Sequence, residues 1–540
     1  MTAQRGLPGI SGHWLLVLLT AGVLVLASDL RVVPVPGAPA VIGGPYALLL
    51  GASTDLGPSH SDRVQLTVTL RDSTQPDQLL GWAGEHHLSV RWRPGDDWAI
   101  VEGGPQAVAN SLGVEVHDYR GQLGQVFYAS PQQPVVPAPL RGQVTEMGRI
   151  LGYTPHRMSR PSMMPLDVPD QGLSPQALLT TYNAGRLAQQ GYTGKGTTIV
   201  IFAFDGYDQA DLDSFATLFN LPKFTPVLVG GQPGEPRGET TMDLEVAHAV
   251  APDARKVVIN ARPTVTGDGA FEKIGQMLES ADQQFPGAVW SFSIGWGCDK
   301  LHTAADMAPV RSALVNAHQR GTTAFNASGD LAGLECKGGQ DWSSPPGNAD
   351  IGLDSIASLP EMTDVGGTTL STDAEGRWLS EQSWFDVPLS LGTGGGVSSI
   401  FERPEWQRGL TTPDGQDPNG QRRLTPDVAA VSDPFTGARI VFNQKVLQGG
   451  GTSQAAPLWA GLAALMNQYL VANGGRLLGD LNPMLYRIAA GAPRPAFRDV
   501  VLGGNVVADA GPGYDLATGL GTPDVENLVQ NILTLQRASQ

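Results

Sequence analysis

Beyond residue 175 the sequence alternates between short uninterrupted apolar runs and stretches of helical periodicity. The apolar runs lie at 198–204, 256–260, 288–294, 322–327 and 362–365; helical patterns lie between them at 208–219, 242–250, 271–284 and 305–320. A run with no polar alternation is what a strand buried on both faces requires, since neither face meets water. Strands interleaved with helices predict an α/β domain built on a mainly parallel, doubly wound sheet. In such sheets ligands and chemistry gather at the carboxyl ends of the strands, so the residues that follow each run carry the most information.

The preceding part of the chain reads differently. Residues 64–70 (VQLTVTL) alternate apolar and polar, as a half-buried strand does. Further strands are predicted at 98–102, 114–119 and 125–129, with helices at 79–87 and 105–112. This is the pattern of a split βαβ, ferredoxin-like α+β unit, placed at 46–152. Residues 153–175 (YTPHRMSRPSMMPLDVPDQGLSP) have no periodicity and read as an exposed, cleavable processing linker. A second linker occupies 29–45, and the α/β domain covers 176–535. Near the N-terminus, residues 14–27 form an uncharged apolar run preceded by Arg5 and His13. It is short for a membrane span, so residues 1–28 read as a signal peptide or an N-terminal membrane anchor.

The net charge of −17 rules against nucleic acid as a partner, because no basic face is available to neutralise phosphates. With 2 cysteines the chain can build neither a disulfide framework nor a thiolate zinc site. Cys298 and Cys336 are either one bridge or two free thiols.

Four constellations could carry chemistry. In 449–457, three glycines and Thr452 precede Ser453, with Pro457 and an apolar helical stretch at 458–470 beyond. A hydroxyl at a helix entry sits where amides are unpaired and the dipole is positive, though a plain helix cap has the same look. Pro457 would be tolerated in a first turn. Glu239 and Asp243, four apart on a helix, share a face. They repel unless they share a proton; the alternative is a solvated acidic first turn. Asp330 follows an apolar run directly, either as a functional group or as a turn residue. Finally, 497–515 combines Asp499 and Asp515 with several glycines, as a hard cation or two ordinary turns would require. Histidine does not serve the serine in this reading. Only His248, His302 and His318 follow the linker, and His248 falls on the opposite helical face from Glu239.

Taken in order, these segments resemble the sedolisin family of serine-carboxyl peptidases. Gly451-Thr452-Ser453-Gln454-Ala455-Ala456-Pro457 is similar to the family's Gly-Thr-Ser-x-x-x-Pro. Glu239-x-x-x-Asp243 followed by Ala251-Pro252-Asp253-Ala254 resembles its acid/base segment, and Ala327-Ser328-Gly329-Asp330 its oxyanion segment. Ile294-Gly295-Trp296-Gly297 resembles its Ser-x-Ser-Trp-Gly strand, with Gly295 where a serine is usual. Residues 46–153 resemble its activation propeptide.

The resemblance implies a subtilisin-like catalytic domain behind an inhibitory, chaperoning propeptide, and a secreted, monomeric, self-processing enzyme acting on protein or peptide substrates at acidic pH. Ser453 would be the nucleophile, Glu239 its general base, Asp243 the partner of Glu239, and Asp330 a protonated oxyanion donor. One structural Ca²⁺ would be held by the Asp499 and Asp515 carboxylates and the carbonyls of Val500, Gly511 and Gly513. Some members carry a further acid after the first strand; Asp205 stands in that region here. A bridge between Cys298 and Cys336 would join two rim loops. Two other readings compete: a non-catalytic binding protein on the same scaffold, and a neutral Ser-His-Asp hydrolase.

Overall fold

The computed structural model describes residues 39–538 except 123, 156, 159–163, 166–171, 338–347, 387–390, 412–416 and 418–419. The N-terminal apolar segment, most of the first linker and much of 153–175 therefore lie outside the described residues. Among the described residues, no helix is long and apolar enough to cross a membrane.

Among the described residues the N-terminal unit contains a three-stranded and a four-stranded sheet, besides a short pairing of Ala40–Val41 with Gln132–Gln133. Strands β1 (Thr54–Pro58), β2 (Val64–Leu70), β3 (Ser89–Arg91), β4 (Trp98–Gly103), β5 (His117–Arg120), β6 (Val126–Ala129) and β7 (Val144–Met147) are joined with helices α1 (Asp77–Glu85) and α2 (Pro105–Leu112). The four-stranded antiparallel sheet runs β3-β4-β2-β7, so β2-α1-β3-β4-α2-β7 is a ferredoxin-like arrangement. β2 alternates strictly between buried and half-buried side chains, as its sequence requires. The strands read at 114–119 and 125–129 do form, but they belong to a separate sheet with β1. The strand that completes the main sheet, β7, is short, and the sequence reading missed it.

The larger unit is built on an eight-stranded sheet. Its strands are β8 (Thr198–Ala203), β9 (Val227–Val229), β10 (Arg255–Asn260), β11 (Val289–Phe292), β12 (Thr323–Ala327), β13 (Thr363–Thr372), β14 (Trp378–Ser383) and β15 (Val428–Val431). The order β9-β10-β8-β11-β12-β13 is parallel; β15 pairs in parallel with β13, and β14 pairs antiparallel with it. The helices between strands are α3 (Gln209–Leu218), α4 (Glu239–Val250), α5 (Ala270–Gln284) and α6 (Ala308–Gln319). Further helices α7 (Thr452–Ala472) and α8 (Val525–Ala538) close the chain.

Side chains of the sheet divide between two apolar cores. Ile199, Ile201 and Phe325 face α4 and α7; Val200, Phe202, Trp290 and Phe292 face α5 and α6. The α7 helix is buried on every side from Thr452 to Asn467, which explains an apolar sequence with little amphipathic bias. It also starts six residues before the apolar stretch, at Thr452, so Pro457 is its sixth residue and not part of its first turn.

Candidate active site

The carboxyl ends of β8, β11 and β12 and the N-termini of α4 and α7 converge. Glu239 is the first residue of α4 and Asp243 lies one turn on, both almost fully buried. Burial pushes both carboxyls well above the usual range. For Glu239 the neighbouring charges of Asp243, Asp205 and Asp330 add to this, and the Ser453 hydroxyl acts against it. For Asp243 the Ser293 hydroxyl opposes the rise and Asp205 adds to it. Two buried acids one helical turn apart cannot both ionise cheaply, so the pair is built to keep one proton.

Ser453 is the second residue of α7 and fully buried. Its hydroxyl and both carboxylate oxygens of Glu239 have no partner within hydrogen-bond geometry among the described residues. The hydroxyl is nonetheless close enough to bear on Glu239. In the ground state the pair thus stands near each other with its hydrogen-bonding capacity unspent.

Asp330 follows β12 and is held by the start of α7. Thr452 donates to its Oδ1 from both the backbone nitrogen and the hydroxyl, each at 2.8 Å, and Gly329 N–H donates to Thr452 Oγ1 at 3.1 Å. That leaves Asp330 Oδ2 facing the nucleophile. A Cβ at Gly451 would lie 2.9 Å from Asp330 Oδ2 and 3.1 Å from Ser453 Oγ, so the bare face of this glycine forms the hollow that both groups border. Gly451 also has φ +88°, which side-chain-bearing residues rarely adopt.

The structure brings Ser453, Glu239, Asp243 and Asp330 to one place. It adds residues that sequence reasoning did not single out. Ser293, just past β11, has its Oγ 2.9 Å from Asp243 Oδ1 and 3.1 Å from the Ser453 carbonyl oxygen. Its sequence signals are a polar residue inside the 288–294 apolar run and its place directly before Ile294-Gly295-Trp296-Gly297, where Ser-x-Ser-Trp-Gly has its first serine. Thr452 orients Asp330, as above. Asp205 is buried at the end of β8 but does not extend a chain of acids through hydrogen bonds: it accepts from Arg237 N (2.8 Å), Thr240 N (3.1 Å) and Thr240 Oγ1 (2.6 Å). It therefore caps the start of α4 and acts on the acid pair through its charge.

The histidines lie elsewhere. His248 Nε2 meets Pro222 O and its Nδ1 meets Lys256 Nζ. His318 bonds the carbonyls of Thr322 and Glu361, and His302 packs edge-on against Phe271.

Cys298 and Cys336 form a disulfide that ties the segment after β11 to the loop after Asp330. Two stretches of the 153–175 segment are paired with backbone beside the site. Arg157–Met158 runs antiparallel to Ile294–Gly295, directly after Ser293, and Met164–Pro165 runs antiparallel to Leu447–Gln448, shortly before Ser453. At these points the linker is not a free tether.

The fourth constellation, 497–515, is drawn together by a hydrogen bond. Gly513 N–H donates to Asp499 Oδ2 at 2.8 Å, joining the two acidic loops, and Asp515 Oδ1 is fixed by the amides of Ala517 (2.9 Å) and Thr518 (2.8 Å). The carboxylates of Asp499 and Asp515 thus lie in two loops that a main-chain hydrogen bond joins, and carboxylate oxygens are the donors a hard divalent cation takes.

Comparison with known proteins places this arrangement. No model of a known protein family matches the chain. It is 33% identical over 463 residues to kumamolisin from Bacillus sp. (strain MN-32), covering 81% of this chain and 78% of that protein. It is 27% identical over 450 residues to human tripeptidyl-peptidase 1, covering 78% and 76% of the two. Among solved structures it resembles Pseudomonas sedolisin, described as a serine-carboxyl proteinase complexed with two molecules of pseudo-iodotyrostatin. The TM-score is 0.55 at 25% identity, covering 67% of this chain and 98% of that one. The large unit has the subtilisin-like α/β arrangement expected of it.

Proposed function

Since the chain belongs to the sedolisin family of serine-carboxyl peptidases, we propose that Ser453 cleaves peptide bonds through a Ser-Glu-Asp triad working in acid. Ser453 Oγ attacks the scissile carbonyl carbon and Glu239 takes the hydroxyl proton. The carbonyl oxygen becomes an oxyanion, to which a protonated Asp330 donates through Oδ2. Glu239 then returns the proton to the leaving amine as the C–N bond breaks, and an acyl-enzyme remains. Water, deprotonated by the same carboxylate, releases the acid and regenerates Ser453. Asp243 holds the proton that lets Glu239 serve as base without a second buried charge beside it. The observation that carries this reading is the buried carboxyl pair facing an unpartnered serine hydroxyl.

Acid follows from the same groups. Asp330 can donate only while it keeps its proton, and the pair can accept only when one of its carboxyls is ionised. The positions of the histidines argue against a neutral Ser-His-Asp hydrolase.

The N-terminal unit acts as a propeptide that inhibits until it is cut. Support comes from the linker stretches paired on either side of Ser453 and from cross-unit contacts: Arg93 with Glu279 at 2.7 Å, Arg91 with Glu272, and Tyr128 with Asp268 at 3.0 Å. The bridged cysteines favour an oxidising, extracytoplasmic setting, in keeping with an exported protein. Asp499, Asp515 and the carbonyls of Val500, Gly511 and Gly513 would hold one structural Ca²⁺, clamping the two loops.

The test is to incubate purified proform at about pH 4 and about pH 7 beside Ser453→Ala, and to sequence the new N-termini. Cleavage within 153–175 in acid only, lost in the variant, is expected. Cleavage by Ser453→Ala, or cleavage confined to neutral pH, would overturn the reading.

A further inference from the structure

The carbonyl of the nucleophile residue itself is in an unusual position. In an α-helix each C=O accepts from the N–H four residues on. For Ser453 that residue is Pro457, which has no N–H, and α7 continues through it. The buried Ser453 carbonyl therefore lacks its helical donor. Ser293 Oγ takes the vacated place at 3.1 Å while lying 2.9 Å from Asp243 Oδ1. A serine hydroxyl has one proton to give.

We infer that Ser293 is a positioning residue that couples the carboxyl pair to the main chain of the nucleophile: its single proton is contested between Asp243 Oδ1 and the Ser453 carbonyl that Pro457 leaves free. When Asp243 is ionised the hydroxyl turns to Oδ1, and a buried carbonyl goes unpaired. When Asp243 carries its proton on Oδ1, it donates to Ser293, Ser293 donates to Ser453 O, and every group is satisfied. Pro457 thus favours a proton on Asp243, and it raises the pH at which the pair first ionises. The other charged groups facing the pair are Asp205, from the end of β8, and Asp330, from the segment after β12. The start of α7 brings only the Ser453 hydroxyl to it. Burial and these charges push the pair up, while the Ser293 hydroxyl opposes the rise at Asp243; sharing that hydroxyl with the Ser453 carbonyl weakens the opposition.

The inference rests on the proposed triad and is tested by a double-mutant cycle on the self-processed enzyme, following kcat/KM against pH. Pro457→Ala supplies the missing N–H, so Ser293 gives its proton wholly to Asp243, and the acid limb moves down by about one pH unit. In a Ser293→Ala background the same change leaves the acid limb in place, because the carbonyl no longer communicates with Asp243. Ser293→Thr, which keeps the hydroxyl, restores the downward shift. A shift of equal size in both backgrounds, or none in either, overturns the coupling. Should Ser293→Ala fail to fold, Ser293→Cys, a weak donor, takes its place, and the shift should shrink accordingly. Ser453→Ala, cut in its linker by added wild-type enzyme and then purified from it, separates the two claims: residual acid activity there refutes the triad, whereas an inactive Ser453→Ala with no coupling refutes only the role of Ser293.

Discussion

At the scale of single residues, the site depends on what is absent as much as on what is present. Gly451 is the clearest case. A side chain there would occupy the space between Asp330 Oδ2 and Ser453 Oγ, and it would have to adopt φ +88°. Gly451→Ala is expected to cost about 1–3 kcal/mol of stability through backbone strain. It should also reduce kcat/KM by about 10²-fold, since displacement of reacting groups on the order of 1 Å is that expensive. Thermal unfolding and steady-state kinetics on the same preparation check both. A variant with wild-type kcat/KM would show that the hollow has no part in the reaction. The four acid and hydroxyl residues could be singled out because each falls near the end of an apolar run or the start of a helical stretch, but position alone equally allowed plain caps and turns, and their roles came from the family resemblance. Ser293 was not singled out, because its significance depends on a carbonyl 160 residues away. Nor was Thr452, which looks like a plain helix cap until Asp330 is brought to it by 122 residues of intervening chain.

At the scale of elements, the parallel sheet was legible because strands buried on both faces have no polar alternation, as in Ile199–Ala203 of β8 and the whole of β11. The N-terminal unit was only half legible. β5 and β6 have strand-like sequences, but which sheet they join is decided by pairing with β1, and no local pattern encodes that. The start of α4 was read at Met242 although it lies at Glu239, because an acidic first turn breaks the apolar periodicity. The two loops that carry Asp499 and Asp515 belong at this scale as well. One hydrogen bond, at 2.8 Å, joins them, and a divalent cation held by both carboxylates would tie them further. Removing Ca²⁺ with a chelator is expected to lower Tm, by about 1 °C per kcal/mol of lost binding energy in a chain of this size, and excess Ca²⁺ to restore it. Asp515→Asn should unfold at the chelated temperature with or without the ion. A wild-type Tm indifferent to both additions would remove calcium from the account.

At the scale of the whole molecule, burial has loaded the fold with acids. Glu239, Asp243, Glu245, Asp299, Asp364 and Glu381 are all buried and shifted upward chiefly by desolvation, and Asp354 is raised to about 7. Each such group holds its proton to higher pH in the folded chain than in the unfolded one, where carboxyls ionise near pH ~4. The native state then binds more protons than the unfolded state above that pH, so stability falls as pH rises from ~4 toward ~7. His248 and His302, each lowered to about 3 by burial, work the other way below pH ~6.5 but are outnumbered. Tm is therefore expected to be higher near pH ~4.5 than near pH ~7, as calorimetry at matched ionic strength would report, and a higher Tm at neutral pH would contradict it. A molecule organised this way is suited to work where a carboxylate, and not an imidazole, is the available base. The most direct test of that claim is the pH dependence of kcat/KM for a peptide substrate, in wild type and Glu239→Gln, from pH ~3 to ~8. The account predicts a wild-type bell with its maximum in acid, and a variant reduced by about 10²–10⁴-fold with the acid limb gone. A wild-type profile that rises to a plateau through a pKa near ~6.5, or a Glu239→Gln enzyme of undiminished activity, would contradict it.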